Sequence, residues 1–370
     1  MIRNSSVGVI YQNDGAHDSC ALRVGVHINM YEKMYDFQNL YDAHLAARKG
    51  KRGKGEVIRY EMNLGPNLCL LKHELQDKTY KPRGYKHFMV YEPKARSIFA
   101  PDYEDRIVQH CLCDNIVMPT LEPRLIFDNA ACRIGKGTHF SINRLSGFMR
   151  EFYKKHETFG YFLKCDIKKY FENINHDILK SRLIYVFEND VYNLLCLIID
   201  SYENTPNTGL PLGNQTSQWF ALYYLDIIDR FIKEKLQIKY YVRYMDDFVL
   251  LHHDKNYLKY CLSEIKRVCK ENLKLELNQK TQIFPVKNGV DYLGWHFYLT
   301  KTGKVILKLK SSNKRRLKRR MKLLQRNYKY RLIDFDAVKR SLVSTNGHLM
   351  HGHTYRFKVR LYSKTVFTRG

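Results

Sequence analysis

The sequence lacks several features that define other classes of protein. Its nine cysteines form no CxxC pair, which argues against structural zinc and against a disulfide framework. No segment approaches the roughly eighteen consecutive apolar residues of a membrane-spanning helix, and the N-terminus has no basic-then-apolar signal pattern. There is no internal repeat and no low-complexity tract. We therefore expect a globular, cytoplasmic protein that has no membrane partner.

What the sequence has in excess is positive charge. Sixty-three Lys and Arg stand against thirty-seven Asp and Glu, so the 370 residues carry a formal net charge of +26. The hydrophobic fraction of 44% is ordinary for a globular chain. A field of this sign attracts polyanions, and nucleic acid is the commonest such partner.

Three aspartates stand where apolar strands are expected. Asp166 ends the run YFLKCD, and Asp246 and Asp247 separate YYVRYM from FVLL in a strand–turn–strand pattern. Because a buried carboxylate without a partner is costly, we expect cations to neutralise them. An Asp-Asp pair at a hairpin tip beside another strand-end Asp suits two Mg2+ ions, with Mn2+ as a substitute. Such ions can activate a 3′-hydroxyl and stabilise a pyrophosphate leaving group.

An ordered set of motifs surrounds these aspartates. The YMDD run at 244–247 resembles the YxDD motif of reverse transcriptases, and Asp166 followed five positions later by Phe171 resembles their first palm motif. Residues 209–218 resemble the second palm motif and residues 278–281 the fourth. Residues 292–295 resemble the primer-grip turn, and residues 94–98 resemble the K-x-R-x-[IL] element of the fingers. The set lies in the family's order, so the chain is identified as resembling a bacterial reverse transcriptase.

The resemblance implies an α+β fold, a right-hand polymerase with fingers, an antiparallel-sheet palm and a helical thumb. The implied domains are an N-terminal extension and linker (1–55), fingers (56–160), palm (161–302) and a basic helical thumb (303–370).

The resemblance also implies the roles of the catalytic residues. Asp166, Asp246 and Asp247 would be the catalytic metal ligands, assisted by the backbone carbonyl of Ile167. Phe171 would be a steric gate whose ring lies where a ribose 2′-hydroxyl would fall. An ordinary core aromatic is the alternative for Phe171.

Other residues are implied to contact the nucleotide and the nucleic acid. Arg96 would pair with triphosphate oxygens, which its planar fork suits. Lys280 would donate a proton to pyrophosphate, or would be an ordinary surface lysine. The remaining nucleotide contacts are Lys94, Leu212 and Gln218. The remaining primer and template contacts are Leu293, Gly294, Lys314, Arg315, Arg316, Arg319 and Arg320.

The second palm motif departs from one common form of the family. Group II intron and retroviral enzymes carry Pro-Gln-Gly there, whereas this chain has Pro211-Leu212-Gly213 followed by an SQ ending. This [ILV]GxxxSQ form resembles the enzymes of diversity-generating retroelements, and also bacterial reverse transcriptases associated with phage defence. The motif does not separate these two groups.

Two stretches of basic residues suggest nucleic acid contacts outside the palm. Residues 308–331 contain twelve Lys or Arg and no acid, with an apolar stripe at helical spacing formed by Leu317, Met321, Leu324 and Tyr328. In the family's layout this is the thumb helix. A second basic surface is predicted from the spacer at 49–54 and from Lys78, Lys81, Arg83 and Lys86 in the fingers.

We therefore expect an RNA-directed DNA polymerase that makes cDNA from an associated RNA. The expected partners are a structured noncoding or template RNA, an RNA–DNA duplex, dNTPs, and a small accessory protein or further copies of the chain. A non-catalytic, maturase-like RNA-binding protein is one alternative, against which the acidic triad argues. An RNA-dependent RNA polymerase on the same palm is the other, and Phe171 is the residue that discriminates.

Overall fold

A computed structural model describes residues 29–91 and 95–369 of the chain. They form helices and antiparallel sheets, which confirms the expected α+β class. The helices are α1 (Phe37–Ala47), α2 (Gly55–Met62), α3 (Leu64–Gln76), α4 (Tyr103–Leu112), α5 (Met118–Leu121), α6 (Thr138–His156), α7 (His176–Leu183), α8 (Asn189–Asp200), α9 (Gln215–Tyr224), α10 (Asp226–Arg230), α11 (Lys255–Leu273), α12 (Ser311–Lys329), α13 (Phe335–Leu349) and α14 (Tyr355–Tyr362). The strands are β1 (Tyr85–Val90), β2 (Arg96–Pro101), β3 (Tyr161–Asp166), β4 (Tyr240–Tyr244), β5 (Asp247–His252), β6 (Gln282–Pro285), β7 (Val290–Tyr292), β8 (Trp295–Leu299) and β9 (Val305–Leu309).

A four-stranded antiparallel sheet in the order β4-β5-β3-β6 forms the centre of the molecule. Successive side chains of a strand point to opposite faces, and here both faces are covered. Leu163 and Phe248 pack into one hydrophobic core, whereas Phe162 and Val249 pack into another. The strand that ends at Asp166 and the strand–turn–strand unit around Asp246 and Asp247 were predicted from the sequence and are present.

The first core joins the sheet to the N-terminal helices α1, α3 and α4 and to α7–α11. The second core joins the sheet to α6 and to a three-stranded sheet in the order β7-β8-β9. In that sheet Trp295 lies opposite Leu309, so strands on either side of the division predicted at 302 pair with each other. Of the predicted N-terminal extension, residues 1–28 lie outside the described residues.

The predicted fingers (56–160) contain a two-stranded hairpin, β1–β2, that contacts the loop before α9. Val90 lies opposite Arg96 near the open end of this hairpin. The backbone N–H of Phe99 donates to the carbonyl of Leu212 at 3.1 Å. This hydrogen bond holds the fingers hairpin against the second palm motif.

The C-terminal region is helical, as predicted. Leu317 and Met321 of α12 are buried, and Leu324 and Tyr328 are half-buried, which confirms the apolar stripe. Within residues 29–91 and 95–369, no helix combines the length and the apolar character needed to span a bilayer.

Candidate active site

Asp166 and Asp247 lie opposite each other at the ends of the two inner strands of the central sheet. Asp166 ends β3, Asp247 begins β5, and the antiparallel register pairs them directly. Side chains in such a pair have Cβ atoms about 4.5–5.5 Å apart. Both therefore project from the same face of the sheet, although 81 positions separate them in sequence.

Asp246 occupies the two-residue turn between β4 and β5. Tyr244 pairs with Asp247, so Met245 and Asp246 form the tip of the hairpin. Met245 adopts a φ of 55°, which a non-glycine residue rarely does. Such a conformation costs about 1–3 kcal/mol and persists only where the surroundings enforce it.

The local electrostatics disfavour ionisation of two of these carboxyls. Burial raises the pKa of Asp247 to about 6, with Asp166 and Asp246 adding to the rise and Lys164 opposing it. Burial also raises the pKa of Asp246, with Asp166 adding to the rise and Arg96 opposing it. Like charges held close together in a partly desolvated site behave in this way when no cation neutralises them.

The carboxylate oxygens of the site suit a divalent cation that takes the rest of its coordination shell from water and substrate. Asp247 Oδ1 is buried without a hydrogen-bond partner, while Asp247 Oδ2 lies 3.4 Å from Lys164 Nζ. Among residues 29–91 and 95–369, no group of three His, Cys, Asp or Glu side chains is arranged to hold a metal ion by itself. Mg2+ typically binds one or two carboxylates and completes its shell with water and substrate phosphates, so the residues fit it.

The backbone beside Asp166 is held by the chain after α11. The carbonyl of Asp166 accepts a hydrogen bond from the N–H of Asn278 at 2.7 Å, and Ile167 forms an antiparallel bridge with Leu277. Ile167 is buried. Lys280 is exposed, and its backbone N–H donates to Asn278 Oδ1 at 3.1 Å. The predicted fourth motif therefore lies next to the first.

The first and second palm motifs are also neighbours. Phe171 is half-buried, and its carbonyl accepts a hydrogen bond from the N–H of Leu210 at 2.7 Å. Gly213 has a φ of 130°, and a Cβ added there would lie 3.2 Å from the carbonyl oxygen of Phe99. Leu212 is half-buried in the same loop, whereas Gln218 is exposed on α9.

Arg96 is the predicted triphosphate contact that the structure describes. It is exposed at the start of β2, and its charge acts on Asp246, as the pKa of that carboxyl indicates. Lys94 lies outside the described residues. One of the two predicted cations therefore lies within electrostatic range of Asp246.

The predicted primer grip forms the turn between β7 and β8. Leu293 and Gly294 have φ values of 46° and 87°, and positive φ at both central residues is typical of a tight hairpin turn. Asn313 Nδ2 of α12 donates to the Gly294 carbonyl at 2.9 Å. The predicted thumb contacts follow on α12: Lys314 is half-buried, and Arg315, Arg316, Arg319 and Arg320 are exposed.

Three residues that hold the site together were not predicted from the sequence. Lys164 contacts Asp247, and Arg243 forms a fully buried ion pair with Asp229, at 2.5 Å. The signal for Lys164 and Arg243 was available, because each is a charged residue within an apolar strand. The sequence contains no comparable signal for the partner Asp229.

Comparison with known proteins identifies the class. The family model for reverse transcriptase (RNA-dependent DNA polymerase) matches residues 92–297, more than half of the chain. The chain belongs to the reverse transcriptase family, and its fold is that of a right-hand polymerase with an antiparallel palm sheet, as predicted. Among curated proteins, none matches it significantly.

Several solved structures resemble the chain. Apo telomerase from Candida tropicalis is 14% identical with a TM-score of 0.47, over 63% of this chain and 49% of that one. Telomerase from Candida albicans in complex with a TWJ fragment of telomeric RNA is 15% identical with a TM-score of 0.48, over 67% of this chain and 49% of that one. The chain thus spans about half the length of these solved structures.

Proposed function

We propose that the chain is an RNA-directed DNA polymerase that makes cDNA from an associated RNA template by two-metal nucleotidyl transfer. The observation that supports this most directly is the pairing of Asp166 with Asp247 where β3 ends and β5 begins, with Asp246 in the adjoining turn. Membership of the reverse transcriptase family supplies the reaction class.

The three aspartates and the carbonyl of Ile167 would hold two Mg2+ ions. When bound, the ions supply charge stabilisation for the attacking and leaving oxygens of an in-line displacement. The fixed strands would position the carboxylates before substrate arrives, so no reorganisation is needed during the reaction.

Residues around the aspartates would bind and select the nucleotide. Arg96 would pair with the triphosphate, which its proximity to Asp246 supports. Phe171 would exclude a ribose 2′-hydroxyl, and its half-buried position beside Leu210 leaves part of the ring open to a substrate. Lys280, which is exposed next to the first motif, would protonate pyrophosphate.

The thumb and the primer grip would hold the growing duplex. Leu293 and Gly294 would contact the primer, and the α12 cations would track phosphates. The hydrogen bond from Asn313 to Gly294 supports joint action of the two parts, because it fixes α12 relative to the turn. The palm and the thumb, divided at 302 in the prediction, would then act together, because the sheet β7-β8-β9 continues across this position.

The experiment is extension of a DNA primer on an RNA template with dNTPs and Mg2+. Asp246→Asn and Asp166→Ala should abolish extension while the variants stay folded, as thermal melting would verify. Asp77→Asn, an exposed site in the fingers, is the matched control and should extend normally. Near wild-type extension by either site variant would overturn the proposal. Extension with rNTPs alone would indicate an RNA polymerase, and RNA binding without extension a maturase-like protein.

The biological setting is a diversity-generating retroelement or a phage-defence system, and the Pro211-Leu212-Gly213 form supports both. The neighbouring genes distinguish them. A template repeat, a variable target gene and a small accessory protein would indicate the first, and an adjacent noncoding RNA or toxin would indicate the second.

The working enzyme would be a ribonucleoprotein with one dedicated RNA, since the chain carries a net charge of +26 and the basic spacer at 49–54 lies far in sequence from the thumb helix. The test is sequencing of RNA that copurifies from the native host after a wash at roughly half-molar salt, where nonspecific phosphate binding is lost. One dominant transcript encoded beside the gene is expected. A mixture resembling total cellular RNA would refute this.

A further inference from the structure

A groove in the C-terminal region lies between α12 and α14. Its cavity has a volume of about 660 Å³. Met321, Phe357 and Leu361 contribute apolar side chains to its lining, and Met321 and Leu361 are buried. The groove therefore has an apolar floor, and its charged residues come mainly from α12 on one side and from α14 and the residues after it on the other.

Two rows of cations face each other across this groove. Lys314, Lys318 and Lys322 line one side, and Arg356, Arg360 and Lys364 line the other. Within each row the residues are four positions apart, which places the α12 row on one face of that helix and Arg356 and Arg360 on one face of α14; Lys364 follows just after α14 ends. Successive cations of the α12 row are about 6 Å apart along its axis. The rows present regularly spaced positive charge over about 12 Å.

These six cations have no acidic partners in the part of the chain that the structure describes. No carboxylate lines the groove, and no ion pair joins any of the six to a described Asp or Glu. The region from 303 to 370 contains twenty Lys and Arg but only Asp334 and Asp336 as acids. No described carboxylate relieves the mutual repulsion of the six groove cations, so the groove favours binding of an anion.

The finger cations, which the sequence suggested as a second basic surface, are different. Three of the four are paired with carboxylates: Lys78 with Asp190 at 2.8 Å, Arg83 with Glu104 at 2.6 Å, and Lys86 with Glu56 at 3.1 Å. A paired cation contributes little to attraction of a polyanion. The six groove cations, by contrast, have no ion pair with a described carboxylate.

The groove faces away from the predicted primer grip. Asn313, which donates to the Gly294 carbonyl, marks the side of α12 that faces the turn. At 3.6 residues per turn, Lys318 lies about 140° around the helix axis from Asn313. Arg316 and Arg320 lie within about 60° of Asn313 on the same scale. A duplex held at the turn can therefore contact Arg316 and Arg320 on a different side of α12 from Lys318.

We propose that this groove is a second nucleic acid site, which binds the phosphate backbone of single-stranded RNA separately from the template–primer duplex. Facing rows of unpaired cations complement a strand whose charges repeat regularly, and the apolar floor can contact bases or sugars. The choice of RNA as the polyanion rests on the proposed function. Such a site lets the enzyme retain one RNA segment while the duplex moves through the cleft.

The first test compares two triple variants with the same loss of charge. R356Q/R360Q/K364Q removes cations from the α14 side of the groove, which is not part of the proposed duplex grip, and K259Q/K266Q/K270Q removes exposed lysines from α11. Binding of a short, labelled, unstructured RNA is measured by anisotropy at several salt concentrations. Each lost phosphate contact lowers the slope of log affinity against log salt by about 0.7, so the groove variant should lose roughly two units of slope. The control variant should keep the wild-type slope, and equal slopes in both variants would overturn the proposal.

The second test asks whether the two sites are separate. Saturating RNA–DNA primer–template should leave the labelled RNA bound to the wild type, and the groove variant should extend a saturating primer–template at the wild-type rate. Displacement of the probe by the duplex would overturn the proposal, as would loss of extension in the groove variant. Preferential binding of phosphatidylserine vesicles through the same cations would overturn it as well. If the wild type fails to extend any primer, the proposed function fails, while the binding slopes still test the groove.

Discussion

The guanidinium of Arg243 donates a hydrogen bond to the carbonyl oxygen of Met245 at 3.0 Å, in the turn that carries Asp246. Asp229 accepts from the same guanidinium at 2.5 Å, and both side chains are fully buried. Tyr241 also donates to Asp229 at 2.5 Å. The buried ion pair of Arg243 and Asp229 thus holds the strained backbone of Met245 in place. We infer that Arg243 is a positioning residue.

Removal of the whole buried polar group should separate stability from activity. Arg243→Met alone leaves Asp229 buried and uncompensated, so unfolding free energy should fall by about 3–5 kcal/mol. The triple variant Asp229→Leu, Tyr241→Phe, Arg243→Met leaves no unpaired charge, so it should recover most of that loss. Its kcat for primer extension should stay low, because the Met245 carbonyl is no longer held. Urea denaturation and steady-state kinetics check this, and a triple variant with wild-type kcat would assign the group a purely structural role.

Asp247→Asn should stabilise the metal-free protein at neutral pH. Burial first, then Asp166 and Asp246, raise the pKa of Asp247 to about 6, against about 3.9 for an unfolded aspartate. Because the folded pKa is the higher one, the stabilising protonation is complete below about pH 4 and is lost as pH rises through 6. Asparagine does not ionise, so its advantage should reach about 3 kcal/mol near pH 7.5 and shrink to about 0.5 kcal/mol near pH 4.

Denaturation in EDTA at several pH values measures this difference, and other titrating groups cancel between the two proteins. Added Mg2+ should stabilise the wild type more than the variant, because it removes the same repulsion. A variant that is less stable than the wild type at pH 7.5 would show that the ion pair with Lys164 outweighs the repulsion.

Phe171→Ala should admit ribonucleotides. The ring is half-buried and meets Tyr170 edge-on with centroids 5.6 Å apart, so removing it opens space beside the second palm motif. The ratio of rNTP to dNTP incorporation should rise by about tenfold or more. Phe159→Ala, at a ring that is 76% exposed, is the control and should leave the ratio unchanged. An unchanged ratio in Phe171→Ala would make Phe171 a core residue.

Leu212→Gln should lower misincorporation. Leu212 is apolar where group II intron and retroviral enzymes carry Gln, and its carbonyl accepts a hydrogen bond from the Phe99 N–H. Sequencing of the products should show fewer errors, most clearly opposite adenine if the diversity-generating resemblance holds. Leu197→Gln on α8 is the control. Equal error rates in Leu212→Gln and the wild type would contradict the prediction.

The sequence by itself determined the features that depend on short stretches of chain. Apolar and aromatic runs on both sides of Asp246 and Asp247 predicted the hairpin, and helical spacing of Leu317 and Met321 predicted the buried face of α12. Both predictions are confirmed, because each depends only on a short stretch of chain. The motif order likewise identified the family that the comparison shows.

The tertiary structure alone decided which distant residues meet. The register that pairs Asp166 with Asp247 depends on packing on both faces of the sheet, and local propensity does not encode it. The same holds for the burial of Arg243 against Asp229, since a charged residue is tolerated in a core only if folding brings its partner there. It also holds for the basic residues. Composition gives their number, but only the placement of carboxylates shows that Lys86 is neutralised and Lys318 is not.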